Sequence, residues 1–432
     1  MPLPRAFKKG LQAAIERRRQ EGYVFSLATP VDPSKTIDFG TNDTLSLVSS
    51  GALRAEFLAE LERNPDFSIG ACGSRVLEDS EYNIELERFL CRTHGAEDGL
   101  FFGSGYDANV AIFGTIPQPG DAIVYDELVH ASIWDGMKAS RASITKPFAH
   151  NDPRSLGQVL EHLQEQSPEI RSGDHTVFVS VESVYSMDGD ICPAHEIVAV
   201  TKKALPHGNF ILIMDEAHSN GLVGPNGAGL VSEWGLEKEF GIRLHTCGKA
   251  LGTTGAIVLC DPLVKKMLVN YARMFIFTKA PSFLMLAVVK ASYNALASED
   301  GARRRRILQE NIRFFFGLLE QHPLWQKVQQ QGHLRISCGE NWTNTPWLSP
   351  IVPFVTKSGK SAELGNKMRE NGILSHPVGY PIVPKDGERI RVVIHTDNSR
   401  EQIVSLVETA MEWASKQLEQ KPTEISSVRS NL

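Results

Sequence analysis

The sequence predicts an α/β chain: a doubly wound, mostly parallel sheet in a large unit, followed by a smaller α+β unit. Three observations carry this. Near-continuous apolar runs at 122–125, 176–181, 210–214 and 256–260 suit strands covered on both faces. Helical patterns at 132–140, 155–166 and 194–204 alternate with them, as crossover connections require. After about residue 290 the alternation gives way to long helices and one strongly alternating strand.

Composition sets the outer limits. A chain of 432 residues has room for two or three packed units. Its expected division is an N-terminal helix and arm (1–45), a large domain (46–290), a small C-terminal domain (291–418) and a disordered tail (419–432). With 42% hydrophobic and 22% charged residues it reads as a soluble globular protein. The net charge of -6 leaves no electrostatic footprint for nucleic acid. No apolar run reaches the roughly 18 residues of a membrane span. Basic residues near the start lack a following apolar stretch, which argues against a secretory signal. The six cysteines include no C-x-x-C pair, so reduced thiols, a cytosol-like compartment and no metal site are expected.

In chain order, residues 4–21 form an amphipathic helix with Leu3, Phe7, Leu11 and Ile15 on one face, closed by Gly22. That face needs cover from the chain itself or from a partner subunit. Ile37-Asp38-Phe39 is a short strand, followed by Gly40-Thr41-Asn42-Asp43-Thr44. Asn42 there is an ordinary turn former and also a ligand candidate. Small residues dominate 66–80, and 81–94 is a helix with Leu86, Phe89 and Leu90 inward. Gly99-Leu100-Phe101-Phe102 then runs into Gly103-Ser104-Gly105-Tyr106-Asp107-Ala108-Asn109. A strand ending in Gly-Ser-Gly and opening a helix is either a plain tight turn or a phosphate cradle. Its free N–H groups stand at a positive dipole end.

Polar clusters follow the central strands: Asp126-Glu127-Leu128-Val129-His130, then Glu182 to Ser186-Met187-Asp188-Gly189-Asp190, then Asp215-Glu216-Ala217-His218. Singly, Asp215 could be a helix cap, and His130 or His218 a core histidine. Together they gather at the carboxyl edge of one sheet, where such folds bind ligands. Lys249 lies in His245-Thr246-Cys247-Gly248-Lys249-Ala250-Leu251-Gly252-Thr253-Thr254-Gly255. Either it is a solvated surface lysine, or the small-residue turn desolvates it. Desolvation lowers its pKa and frees an amine able to attack a carbonyl. Thr246, three residues earlier, could bind an anion beside that amine.

Further on, 302–319 is a helix opened by Arg303-Arg304-Arg305-Arg306, expected to be a solvated face. A helix at 362–371 precedes a strand at 389–395. On that strand Ile390, Val392 and Ile394 share one face, and Arg391, Val393 and His395 the other. Ser399-Arg400-Glu401-Gln402 is a capping box opening the last helix. Ser430-Asn431-Leu432 is similar to the peroxisomal Ser-Lys-Leu signal with its middle residue changed, and a frayed tail is the other reading.

These stretches, with Phe148-Ala149-His150-Asn151-Asp152, Ser219-Asn220-Gly221 and Gly248-Lys249, resemble the fold-type I enzymes that use pyridoxal 5'-phosphate (PLP). Within them the chain is similar to the α-oxoamine synthases, above all the branch that makes 8-amino-7-oxononanoate, and the likeness spans nearly the whole sequence. It implies that Lys249 holds PLP covalently and then acts as the proton-transfer base. Asp215 would pair with the ring nitrogen and keep it protonated, so that the ring draws electrons from the substrate. His218 would bond the phenolic oxygen, with Ser186 near it, and His130 would stack on the ring and polarise the acyl carbonyl. Ser104, Gly105, Tyr106 and Thr246 would hold the phosphate, joined by Thr278 from the neighbouring subunit. Glu182 would line the cofactor pocket. Arg391 with Asn42 would clamp the amino-acid carboxylate, since a guanidinium pairs with both oxygens.

The implied reaction condenses an amino acid with an acyl thioester and expels thiol and carbon dioxide. By resemblance the pair is L-alanine and a pimeloyl group on CoA or a carrier protein, in biotin biosynthesis, catalysed by a homodimer. Alternatives are release of a polyketide or fatty acyl chain in secondary metabolism, an aminotransferase, and a non-catalytic partner subunit. Three departures stand out, the first two in the region that lines the acyl pocket in relatives. Glu78-Asp79-Ser80 replaces a Ser-Gly-Thr or Ser-Gly-Tyr, Asn83 replaces a frequent histidine, and Thr44 a frequent tyrosine.

Overall fold

The computed structural model describes residues 2–21, 24–25, 27 and 31–419. The tail from residue 420 on, with Ser430-Asn431-Leu432, lies outside the described residues. At the centre is a seven-stranded sheet. From edge to edge its strands are Asp98–Phe102, Ala256–Cys260, Ile242–Thr246, Phe210–Asp215, Val177–Glu182, Ala122–Asp126 and Ile144–Phe148. Ala256–Cys260 runs antiparallel to both its neighbours, and the remaining pairs are parallel.

Successive side chains on a strand point to opposite faces, and here both faces are covered. Ile123, Tyr125 and Phe178 pack under the helices Gly105–Thr115 and Ala131–Lys138. Ala122, Val124, Val177 and Val179 pack under Pro153–Gln166 and Ala194–Ala204. That two-sided burial is why these strands read as unbroken apolar runs. The edge strand Ile144–Phe148 gives no such run. Its Thr145, Lys146 and Pro147 are exposed, and proline is tolerated at an edge.

Parallel pairing aligns the strand ends. Glu182 stands opposite Asp215, and Asp126 and Thr246 end their own strands at the same edge. Behind that edge the loop after Asp126 is fixed by a partly buried ion cluster. His150 Nδ1 lies 2.8 Å from Asp126 Oδ1, and Nε2 lies 2.7 Å from Asp190 Oδ2. Burial alone would lower the imidazole pKa; the two carboxylates overcome it and push His150 up to about 10. A folded-state pKa raised above the free value of about 6.5 stabilises below that pH, and the gain is lost as pH rises through the raised value. We therefore expect the Tm of the wild type to fall between about pH 6.5 and about 10. His150→Ala strands two carboxylates and should cost about 3 kcal/mol at neutral pH. Thermal melts across that range check both: a variant that keeps the wild-type slope would contradict the assignment.

A second sheet of four antiparallel strands, ordered His376–Val378, Arg389–Val393, Ile351–Thr356 and Leu334–Ile336, forms the smaller unit. Ile390, Val392 and Ile394 are fully buried in the core, while Arg391 faces the large sheet, where its side chain meets Ser186. The N-terminal arm crosses to this unit. Ile37–Asp38 pairs in parallel with Ile373–Leu374, and Val393 N–H donates to the Phe39 carbonyl at 2.8 Å. The last helix, Arg400–Glu419, opens on a reciprocal cap: Gln402 N–H donates to Ser399 Oγ and Ser399 N–H to Gln402 Oε1.

One sequence reading needs amendment, and one alternative left open is narrowed. The arginine run is not uniformly solvated. Arg304 is buried in the helix Glu299–Gln321 and donates to the Leu45 carbonyl at 3.1 Å, pinning the arm. The helix Arg5–Gln20 buries none of its residues, and Leu3, Phe7, Leu11 and Ile15 are exposed, so the described chain itself does not cover that face. No helix among the described residues is long and apolar enough to cross a membrane.

Candidate active site

The sheet edge assembles the predicted residues from five strand ends. Lys249 follows Ile242–Thr246 in the small-residue turn, with Gly252 at φ 65° closing it. Its Nζ lies 2.8 Å from His218 Nε2. Burial pulls the Lys249 amine down to about 8, against the attraction of Asp215 and Glu182 and with help from Arg391. Burial first, then the Lys249 and Arg391 charges, hold His218 well below the usual imidazole range. Lys249 is thus a lysine whose free base is populated near neutrality, the form that attacks an aldehyde. We expect the rate at which the cofactor-free protein captures PLP to rise with pH about a midpoint near 8. Stopped-flow absorbance checks this, and a midpoint near 10 would count against it.

Asp215 ends its strand buried, and Asn109 Nδ2 donates to its Oδ2 at 2.9 Å. The same amide donates to Ser132 Oγ at 3.0 Å. Glu182, its register partner, is buried; burial and then the Asp215 charge push its carboxyl well above the ordinary value. Its Oε1 accepts from the His130 backbone N–H at 2.5 Å. His130 caps the helix Ala131–Lys138, and Ser132 Oγ lies 2.7 Å from its Nδ1. Burial lowers the His130 pKa as well, against the pull of Asp215.

The phosphate cradle is present as geometry. Ser104 caps the helix Gly105–Thr115, accepting from Asp107 N–H at 3.0 Å. A Cβ at position 105 would lie 2.3 Å from Thr246 Oγ1, so only glycine brings the helix N-terminus against that hydroxyl. The first-turn N–H groups and the Thr246 hydroxyl form an anion site with a positive dipole end. Tyr106 is exposed, and its hydroxyl bonds Asp135.

These groups fit PLP. The cradle takes the phosphate, Lys249 is a desolvated amine, Asp215 is a buried carboxylate held by Asn109, and His218 offers an uncharged ring nitrogen.

Arg391 completes the cleft. Its Nε donates to the Ser186 carbonyl at 2.7 Å and its Nη2 to Asn42 Oδ1 at 3.0 Å. Burial pulls the guanidinium down to about 10, which leaves it cationic at neutral pH. Asn42, His130, Ser186, His218, Lys249 and Arg391 all line one cavity. Ser186 contributes its backbone oxygen here. Thr278 is not brought to this cleft: it is exposed beyond the short helix Arg273–Ile276.

Two positioning groups escaped the sequence reading, Asn109 and Ser132. Both stand inside the quoted stretches, and Asn109 lies four residues after Gly105, on the same helical face. The Glu78-Asp79-Ser80 stretch has local partners and lines a cavity with Phe67, Tyr82 and Phe283. Asp79 is paired with Arg75 and accepts from Asn83 Nδ2 at 2.8 Å, and Ser80 caps the helix Glu81–Thr93. Glu78 is exposed.

Likeness to known proteins agrees with this geometry. The family model described as aminotransferase class I and II matches residues 34–407. An aminoacyl transferase sphA of Aspergillus fumigatus is 40% identical over 415 residues, covering 96% of this chain and 88% of that protein. An 8-amino-7-oxononanoate synthase of Emericella nidulans is 40% identical over 420 residues, covering 97% and 98%. Among solved structures, a serine palmitoyltransferase from S. paucimobilis with bound PLP superposes with a TM-score of 0.77 at 25% identity, covering 95% of this chain and 98% of that one. The chain therefore belongs to the class I and II aminotransferase family and, within it, to the α-oxoamine synthases: it is a PLP-dependent acyltransferase.

Proposed function

We propose that the chain joins L-alanine to an acyl thioester, releasing thiol and carbon dioxide and giving an α-amino ketone. The observation that carries this is the meeting of Arg391, fixed by Asn42 and Ser186, with Lys249 and His218 in one cleft. The guanidinium binds the substrate carboxylate and so orients the α-carbon toward Lys249. PLP bound there supplies an electron sink for the α-carbanion. Lys249 takes the α-proton on Nζ, and its lowered pKa suits that work near neutral pH. In this reading the ring of His130, whose backbone N–H donates to Glu182, donates a hydrogen bond to the acyl carbonyl. Beside Lys249 the recess lined by Thr44, Leu222, Pro350 and Ile351 holds only about 10 Å³, which favours a methyl side chain.

Two acyl groups have support. Likeness to the Emericella nidulans 8-amino-7-oxononanoate synthase along nearly its whole length supports a pimeloyl thioester and biotin biosynthesis. Likeness to serine palmitoyltransferase supports a fatty acyl chain, with a polyketide chain in secondary metabolism as its variant. The apolar wall of the cleft favours the second. We further assign a homodimer, with the exposed Thr278 available to a partner's site, and a cytosolic location from which Ser430-Asn431-Leu432 would divert the chain to peroxisomes. A fluorescent fusion with and without that tripeptide tests the address. Thiol released from a panel of acyl thioesters, one per alanine consumed, tests the reaction. Amine transfer to a keto acid without thiol release would replace it with an aminotransferase.

A further inference from the structure

Behind the cofactor cleft, on the other face of the central sheet, lies a second polar cluster that the condensation does not use. Side chains alternate across a strand. Asp215 and Thr246 turn toward the helix Gly105–Thr115, so their neighbours Glu216 and His245 turn the other way. There His245 stacks against His94, at the end of Glu81–Thr93, and His94 meets Tyr293 on the helix Phe283–Ala297. Glu216 and His245 are 0% exposed, His94 1% and Tyr293 2%, so a partner subunit does not reach the cluster.

The hydrogen bonds of this cluster are settled except at one junction. The Ala228 carbonyl, 3.0 Å from His94 Nδ1, fixes the ring proton there, so Nε2 accepts from the Tyr293 hydroxyl at 2.9 Å. Asn220 Nδ2 donates to that hydroxyl at 3.2 Å and to the Thr246 carbonyl at 3.1 Å. Glu216 Oε1 accepts from Val231 N–H at 2.9 Å and from Ser219 Oγ at 3.0 Å. Its other oxygen, Oε2, stands 3.3 Å from His245 Nε2, and His245 Nδ1 has no partner. Arg243 is spent elsewhere: its guanidinium donates to the carbonyls of His94 and Gly95. Glu237 and Cys91 act on Arg243, Cys247 acts on Tyr293, and burial keeps both thiols protonated. Burial pushes Glu216 up to about 7, against Val231, Ser219 and Arg243. Burial, then His94 and Arg243, hold His245 uncharged. A carboxyl facing an uncharged imidazole bonds it in two ways: the acid donates to Nε2, or Nε2–H donates to the carboxylate.

We propose that Glu216 and His245 share one proton behind the cofactor cradle, and that Glu216 thereby tunes how tightly the cradle holds a dianionic phosphate. Thr246, which offers its hydroxyl to that phosphate, directly follows His245. With the proton in place the cluster is neutral. Without it a second buried anion stands beside Asp215 at the same sheet edge and repels the phosphate through a low-dielectric interior. Linkage makes the effect mutual: a bound dianion makes Glu216 harder to ionise. The inference uses the cradle alone and holds whichever acyl group the enzyme takes.

Sulfate is the probe, because it stays a dianion across the range in which phosphate itself titrates. Lys249→Ala protein free of PLP removes the titration of that amine. Its calorimetric Kd for sulfate should rise between about pH 6 and about pH 8.5, and about tenfold more than in Glu216→Gln/Lys249→Ala. Glu182 titrates in both proteins, so the difference between them belongs to Glu216. Thr246→Val should weaken sulfate at the lower pH, which places the ion in the cradle. In the infrared, Lys249→Ala protein should lose a protonated-carboxyl band about a midpoint near 7, and the His245 ring-nitrogen resonances should move with it. Saturating sulfate should raise that midpoint by about one pH unit, a readout that needs no variant at 216. In holoenzyme, Glu216→Gln should slow the loss of PLP at about pH 8.5. An equal rise in Kd with and without Glu216, a midpoint unmoved by sulfate, or sulfate binding unaffected by Thr246→Val overturns the proposal. A carboxyl band that titrates while His245 stays fixed overturns the sharing.

Discussion

Lys249→Ala should lower turnover by about 10⁴-fold, the upper end for loss of a positioned proton-transfer group. The same change removes the covalent hold on PLP, so the visible absorbance of the purified protein should shift to that of free aldehyde. The reason is local. Lys249 Nζ sits 2.8 Å from an uncharged His218 in a buried turn, and no second lysine lines the cleft among the described residues. Absorbance spectra and single-turnover rates with alanine and a thioester check the two effects. A variant retaining a tenth of wild-type turnover would remove Lys249 from the chemistry.

Asp215→Ala should cost about 3–5 kcal/mol, or roughly 150- to 5,000-fold in kcat, as for breaking a buried charged pair. Asp215 is 6% exposed and is held by Asn109 Nδ2 at 2.9 Å. Without it the ring nitrogen loses the carboxylate that the buried strand end places opposite it. PLP affinity should fall with kcat. Equilibrium dialysis and steady-state rates test this, and a change below threefold in both would show that Asp215 serves structure alone.

Much of this site was legible because chemistry and topology coincide in the sequence. Apolar runs marked the buried strands, and the polar residues immediately after them had to fall at one edge. Asp215, Glu182 and His218 were placed that way, and Lys249 by the small-residue turn ahead of the 256–260 run. Asn109 was not, because an amide on a helix becomes a carboxylate holder only when register brings it to Asp215, 106 residues away. Arg304 was misjudged for a related reason. Four consecutive arginines look alike in sequence, and only the carbonyls of Leu45 and Ser46 single one out. The edge strand Ile144–Phe148 hid behind its polar face and proline.

The proposed grip on the amino acid joins Asn42 to Arg391 across 349 positions, whereas the residues proposed to hold the cofactor fall between 104 and 249. Chains fold from the N-terminus as they leave the ribosome. The whole central sheet is made by residue 260, so a growing polypeptide can assemble its coenzyme cradle while Asn42 still waits for its partner. On the proposed roles, competence to hold substrate arrives only near the end of synthesis, after Lys249 has already been placed.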